Sequence, residues 1–213
     1  MRTTTYLRSL AILGALISAP DRLHAYEYDT STNGNTVRWG VNSPSFYINP
    51  AGSLAIGLAK YTDFENAVGA AMRTWNNVTG SRFKFKNAGR TKVSAYGVYD
   101  GVNRIDIGPL GSASIAEAHV WSLLPSGEIV DTDLRFNNSY KWSGAGTPPV
   151  DKYDVQNIAT HELGHCLGLA DLYDRSLDTE KTMYGKAVKG ETKKRTLHTD
   201  DILGLRFLYP SSN

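Results

Sequence analysis

The sequence predicts an α+β fold built as a single domain, and three observations favour it. Segments in which apolar and polar residues alternate, as strands do, are concentrated between residues 36 and 136. Three other segments carry apolar residues at helical spacing, one among these strands and two after them. The composition, with 41% hydrophobic and 21% charged residues, is that of a folded domain.

The charge balance and the cysteine content exclude several classes of protein. The chain has 23 Lys and Arg against 21 Asp and Glu, so its near-neutral charge gives no reason to expect a nucleic-acid partner. Cys166 is the single cysteine, which excludes a disulfide within the chain and any Cys-rich zinc ribbon or finger.

The first 25 residues are typical of a secretory signal peptide. Arg2 and Arg8 precede an apolar run over 10–17, and the small residue Ala25 offers a cleavage site. Ala19 is the alternative site, disfavoured because Pro20 follows it. The run is shorter than the roughly 20 apolar residues that a membrane-spanning helix needs. A buried N-terminal helix is the alternative that this pattern leaves open. We therefore expect residues 26–213 to form one exported domain with no membrane anchor.

The remaining elements follow from periodicity and from capping residues. The predicted strands lie at 36–39, 45–49, 82–86, 93–99, 102–107, 115–124 and 128–136. The first helix runs over 62–75 with Thr62 as its cap. A second helix begins after Asp151 or Asp154 and ends at Gly168, and a third covers 200–208 behind His198 or Thr199.

The second helix carries the pattern that points to chemistry. His161 and His165 lie one turn apart on one helix face, so their imidazoles can converge on one metal ion. Glu162 lies beside them but is held away from the ion by the helix, which suits a general base acting on water.

A third ligand is expected just beyond the helix. Gly168 allows the chain to leave the helix in a left-handed turn that can bring Asp171 to the same ion. Asp174 and His198 are the rival third ligands. Two imidazoles and one carboxylate leave one coordination position open, which is the pattern of a catalytic zinc site.

These residues resemble the signature of the metzincin zinc endopeptidases, and most closely the matrixin-type catalytic domain. His161, Glu162, His165 and Gly168 match that signature, whereas Asp171 stands where most metzincins have a histidine, as in snapalysin-like enzymes. The run 182–184 is similar to the Met-turn, with Met183 as its methionine. The run 197–209 is similar to the C-terminal helix of matrixins.

The resemblance implies a zincin fold and a secreted peptidase. The fold is a twisted mixed sheet of about five strands with three main helices, an active-site helix and a Met-turn. The implied protein is a monomeric zinc endopeptidase with one catalytic Zn²⁺, acting on proteins or peptides. Calcium ions are compatible with the family, but no run of ligands in this sequence identifies a site for one.

The resemblance also implies that substrate binds as an extended strand along the edge strand at 115–124, near Ala118 and Val120. Two other functions remain possible from the sequence. One is an exported zinc-binding module without catalysis, and the other is a peptidase limited to short peptides.

Overall fold

A mixed β-sheet and three α-helices form the described part of the chain. The computed structural model describes residues 6–8 and 26–211. The strands are β1 (Tyr6–Arg8), β2 (Arg38–Trp39), β3 (Ser45–Ile48), β4 (Lys86–Arg90), β5 (Asn103–Gly108), β6 (Ala116–Leu123), β7 (Glu128–Asn137), β8 (Trp142–Ser143) and β9 (Tyr153–Asp154). The helices are α1 (Tyr61–Asn76), α2 (Val155–Leu167) and α3 (Thr199–Leu208), with a 3₁₀ turn at Lys193–Arg195.

The sheet follows the order β1-β6-β7-β5-β3-β4, and β2 pairs with the start of β7. Strands β4, β3, β5 and β7 are parallel, whereas β6 is antiparallel to β7 and β1 is antiparallel to β6. Parallel neighbours need a crossover, and α1 supplies the one between β3 and β4. The predicted α+β fold with a mixed sheet and three main helices is confirmed. The short strand predicted at 36–39 is β2, and β1 is a strand that was not predicted.

Helix α1 links the sheet to α2 through its buried face. Phe64, Met72 and Trp75 lie at helical spacing and are at most 3% exposed. Phe64 packs edge-on against Phe136 of β7, and the Trp75 indole donates a hydrogen bond to the carbonyl of Thr160 on α2. Burial of side chains of this size contributes about 1.5–3 kcal/mol each, so α2 is held against a rigid support.

The residues that cap the N-termini of α1 and α3 can be compared with the prediction. Helix α1 begins behind Lys60 rather than Thr62, because the backbone N–H of Lys60 donates to the Asp63 carboxylate at 2.9 Å. Of the two residues predicted to cap α3, His198 is the cap.

The strand predicted at 82–86 is wrong over its first four residues. Phe83 and Phe85 are buried between exposed neighbours, as the alternation suggested. Their backbone nevertheless pairs with irregular segments, since the N–H of Arg82 donates to the carbonyl of Tyr209 and that of Lys84 to the carbonyl of Asn42. The alternation of apolar and polar residues therefore reflects which side chains are buried, and it does not indicate pairing in a β-sheet.

The strand predicted at 93–99 is also wrong, because this segment is a loop. In place of a neighbouring strand, carboxylates of β7 hold this loop and the two residues that follow it. Gly97 donates to Asp133 at 3.1 Å, and Asp100 and Gly101 both donate to Asp131 at 2.9 Å.

The N-terminal prediction falls almost wholly outside the described residues. The expected signal peptide covers residues 1–25, of which the structure describes only β1. The backbone of β1 pairs with Trp121–Leu123 on the edge of β6. None of the described helices is long and apolar enough to cross a membrane.

Candidate metal centre

Helix α2 holds the two histidines at the centre of the molecule. It begins at Asp154, whose carboxylate accepts a hydrogen bond from the N–H of Asn157 at 2.7 Å. One helical turn separates His161 from His165, and their Nε2 atoms lie 3.3 Å apart. The two imidazoles therefore point at the same place.

Backbone carbonyls set the orientation of both rings. The Nδ1 of His161 lies 2.8 Å from the carbonyl of Thr182, and the Nδ1 of His165 lies 2.9 Å from the carbonyl of Leu169. A carbonyl can only accept, so each Nδ1 carries the proton and donates it. In the neutral imidazole each Nε2 then carries the free lone pair, which is the form that binds a metal.

Gly168 turns the chain back toward the histidines. Its φ is 97°, and a Cβ on this residue would lie 2.1 Å from the carbonyl oxygen of Val37. Both the conformation and the close approach require glycine. After this turn, hydrogen bonds from Asp29 to Gly168 and from Ala170 to Glu27 hold the chain.

The turn brings Asp171 to the two imidazoles. Its Oδ1 lies 3.3 Å from the Nε2 of His161 and 3.4 Å from the Nε2 of His165. This oxygen is buried and has no hydrogen-bond partner. An unsatisfied buried carboxylate oxygen is costly unless a cation or a donor faces it. Within the described residues, these three side chains are the group able to hold a metal ion, with ligand atoms within 4.8 Å of one another.

The electrostatics of the cluster also favour a cation. Burial alone would raise the pKa of Asp171, but the facing imidazoles lower it below its ordinary value. Burial alone would lower the pKa of His165, yet the Asp171 carboxylate raises it to about 10. The Asp171 carboxylate therefore stabilises positive charge between itself and the imidazoles, and a bound metal ion would supply such a charge.

The two rival ligands lie elsewhere. The Asp174 carboxylate accepts hydrogen bonds from the N–H and the hydroxyl of Ser176. The imidazole of His198 caps α3, where its Nδ1 accepts from the N–H of Asp200.

Glu162 lies next to the histidines without belonging to the ligand group. Its side chain is buried, and burial raises its pKa, an effect that the charges of His161 and His165 reduce. A carboxylate whose pKa is raised above its ordinary value is a stronger base toward a neighbouring water molecule.

Met183 lies directly beneath α2 and is 2% exposed. A Cβ on Gly164 would be 2.2 Å from the Met183 Sδ, so the helix and the methionine are in close contact. The buried Asp201 of α3 accepts from the N–H groups of Thr182 and Met183 at 3.0 and 3.2 Å. This role of Asp201 was not predicted, although its place at the start of a helix was.

Tyr173 was also missed, and no motif in the sequence pointed to it. Its hydroxyl donates to the Asp171 Oδ2 at 2.8 Å. Burial and this bond raise the pKa of Tyr173 to about 12.

Strand β6 carries Ala118 and Val120, the residues expected near the substrate. Val120 is buried in the core and Ala118 packs against it, so both side chains face inward. Trp121 points to the opposite face, where it is 4% exposed and stacks on His119. Among the described residues, β1 covers only the Trp121–Leu123 end of this edge.

Fold and site together define a metallopeptidase domain of the zincin class. The family whose profile matches the chain is matrixin, over residues 49–210. Because the match covers most of the chain, the protein belongs to the matrixin family of zinc metalloendopeptidases.

Individual relatives are distant and longer. The chain is 30% identical over 153 residues to an interstitial collagenase of Oryctolagus cuniculus, covering 71% of this chain and 29% of the relative. It is 26% identical to matrix metalloproteinase-20 of Homo sapiens, covering 74% of this chain and 31% of the relative. It is 34% identical over 83 residues to metalloendoproteinase 1 of Glycine max, covering 37% of this chain and 26% of the relative.

The chain thus spans less than a third of the length of these relatives. Among solved structures, a chain titled "GM1 bound form of the ECX AB5 holotoxin" aligns with a TM-score of 0.47 and 11% identity, covering 90% of this chain and 92% of that chain.

Proposed function

We propose that this chain is an exported zinc endopeptidase that hydrolyses peptide bonds in proteins. His161, His165 and Asp171 are the zinc ligands, and Glu162 is the general base. The observation that carries the proposal is the buried, unpartnered Asp171 Oδ1, which faces the Nε2 atoms of both imidazoles. The donor set of two imidazoles and one carboxylate fits a catalytic zinc site. Bound there, the ion would polarise the scissile carbonyl and lower the pKa of a water molecule.

Glu162 moves the proton in this reaction. Its carboxylate accepts a proton from the attacking water and returns it to the leaving amine nitrogen. Burial supports this role because it raises the pKa of Glu162 and so makes its carboxylate a stronger base.

The substrate lies extended along the part of the β6 edge that no described strand covers. Main-chain hydrogen bonds in the region of Ala118 and Val120 hold it, since both side chains face the core and leave only their backbone for the substrate. The antiparallel pairing of β1 on the far end of this edge supports its ability to accept a further strand.

The segment after Met183 forms the wall of the pocket beyond the cleavage point. The ammonium of Lys194, which is 1% exposed, donates to the carbonyls of Tyr184 and Lys186 and braces this segment. Burial lowers the pKa of Lys194.

Export and domain organisation complete the proposal. Residues 1–25 direct secretion, and 26–213 form one catalytic domain that acts as a monomer on protein or peptide substrates outside the cell. The basic residues Arg2 and Arg8 and the short apolar run over 10–17 support secretion.

The test uses the full chain after export, with zinc content measured first. We expect clearance of casein or gelatin that a chelator abolishes and added Zn²⁺ restores. Glu162→Gln should retain zinc and lose about 10²–10⁴ in kcat, whereas the exposed Glu128→Gln should retain full activity. Zinc binding without cleavage of any peptide would instead identify a non-catalytic module, and cleavage of blocked peptides but of no folded protein would identify a short-peptide peptidase.

A further inference from the structure

The two oxygens of the Asp171 carboxylate have different surroundings. Oδ1 faces the imidazoles of His161 and His165 and has no hydrogen-bond donor. Oδ2 accepts a hydrogen bond from the hydroxyl of Tyr173 at 2.8 Å. The phenol therefore contacts the one oxygen that does not face the imidazoles.

The backbone around Tyr173 is tied to the segment after Met183. Leu172 donates its N–H to the carbonyl of Met183 at 2.8 Å, and Gly185 donates to the carbonyl of Leu172 at 2.9 Å. These two bonds form a parallel bridge between Leu172 and Tyr184. The bridge places Gly185 directly against the ring of Tyr173.

Gly185 leaves the space that the ring needs. A Cβ at this position would lie 2.5 Å from Cε1 of Tyr173, 2.8 Å from Cζ and 2.9 Å from the hydroxyl oxygen. Atoms cannot approach this closely, so any larger residue at 185 would displace the ring. The φ of Gly185 is not positive, and its absence of a side chain therefore matters for space rather than for backbone conformation.

We propose that Tyr173 is a positioning residue, which holds the Asp171 carboxylate so that Oδ1 alone faces the two imidazoles. The inference rests on the proposed zinc site. A carboxylate on a loop can rotate about its last side-chain bond and exchange its two oxygens. A donor fixed on Oδ2 removes that freedom before the metal arrives, as partners of metal ligands do in general.

The position of Tyr173 makes the idea testable without unfolding the protein. Its side chain is 60% exposed, so loss of the hydroxyl or displacement of the ring removes little packing. A surface tyrosine with no function would give the same stability and no change in metal binding. Tyr47, which is 39% exposed on β3, provides a matched control for the Tyr→Phe substitution.

The experiment measures the zinc dissociation constant of the full chain by competition with a chromophoric chelator, together with the unfolding midpoint of the zinc-free protein. Tyr173→Phe should weaken zinc binding about 10-fold and leave the zinc-free midpoint at the wild-type value. Gly185→Ala should weaken zinc binding in the same direction, because it displaces the ring while retaining the hydroxyl. Tyr47→Phe should change neither quantity.

Two results would overturn the inference. One is a zinc dissociation constant for Tyr173→Phe within twofold of wild type. The other is unchanged zinc binding with a lower kcat, which would mean that the phenol contacts substrate instead of orienting a ligand. Failure of the wild-type chain itself to bind zinc would refute the proposed metal site and, with it, this inference.

Discussion

Replacement of Gly164 by alanine tests the contact between helix α2 and Met183. The added Cβ would lie 2.2 Å from the Met183 Sδ, 3.0 Å from its Cε and 3.2 Å from Cζ2 of Trp75. Trp75 is fully buried and hydrogen-bonded to the carbonyl of Thr160, so it cannot give way. The methionine must move, although it is itself 2% exposed.

The expected loss follows from two opposing effects. Inserting a methyl group into a well-packed core typically costs about 1–3 kcal/mol. Replacing glycine by alanine inside a helix returns about 1 kcal/mol. Because the contact is far below van der Waals distance, we expect a net loss of about 2 kcal/mol. For a chain of this size that corresponds to a fall in Tm of about 4–8 °C.

The assay is denaturant unfolding of the zinc-free protein, since bound metal would add its own stabilisation. Gly69→Ala on α1 is the control, because a Cβ there would meet only the end of the Arg73 side chain at 3.4 Å. That variant should be as stable as wild type or about 0.5–1 kcal/mol more stable.

A double-mutant cycle with Met183→Ala tests whether contact with Met183 causes the stability loss of Gly164→Ala. If the sulfur is what the new methyl group strikes, the double variant should be at least about 1 kcal/mol more stable than the sum of the two single changes predicts. Additive effects, or a Gly164→Ala variant as stable as wild type, would refute the assigned contact.

Three further predictions concern aspartates. Asp171→Ala should lose its zinc on dialysis while Asp174→Ala keeps it, and full zinc retention in the first would remove Asp171 from the ligand set. Asp201→Asn should lower the free energy of unfolding by about 1–3 kcal/mol, because a buried amide NH₂ would face N–H donors; unchanged stability would contradict its anchoring role. Burial and the charge of Asp131 raise the pKa of Asp133 from 3.8 to about 7. Its ionisation in the native state is therefore unfavourable, so the free energy of unfolding should fall as pH rises from about 4 to 7. Asp133→Asn should flatten this slope in urea titrations, and parallel slopes would count against it.

The helices and the convergence of the two histidines could be predicted because they depend on local sequence. Periodicity located α2, and the left-handed turn at Gly168 followed from the absence of a Cβ. The convergence of His161 and His165 needed only helix geometry. These are short-range effects that neighbouring residues decide.

The errors arose where distant residues decide the outcome. Phe83 and Phe85 are buried as their alternation predicted, but whether their backbone joins a ladder depends on which segment lies alongside. The loop over 93–99 is held by carboxylates of β7, far away in sequence. The contact of Tyr173 with Asp171 depends on Gly185 across a bridge, and no local pattern encodes it.

The carbonyls of Thr182 and Leu169 that receive the Nδ1 protons belong to the main chain. Every amino acid has the same main-chain carbonyl, so a substitution that keeps the backbone in place does not change the tautomers of His161 and His165. An insertion or deletion between α2 and either acceptor would instead move the carbonyl away from the imidazole that donates to it. The tautomers of the two histidines therefore depend on the spacing between α2 and the two acceptors and not on the side chain of either acceptor residue.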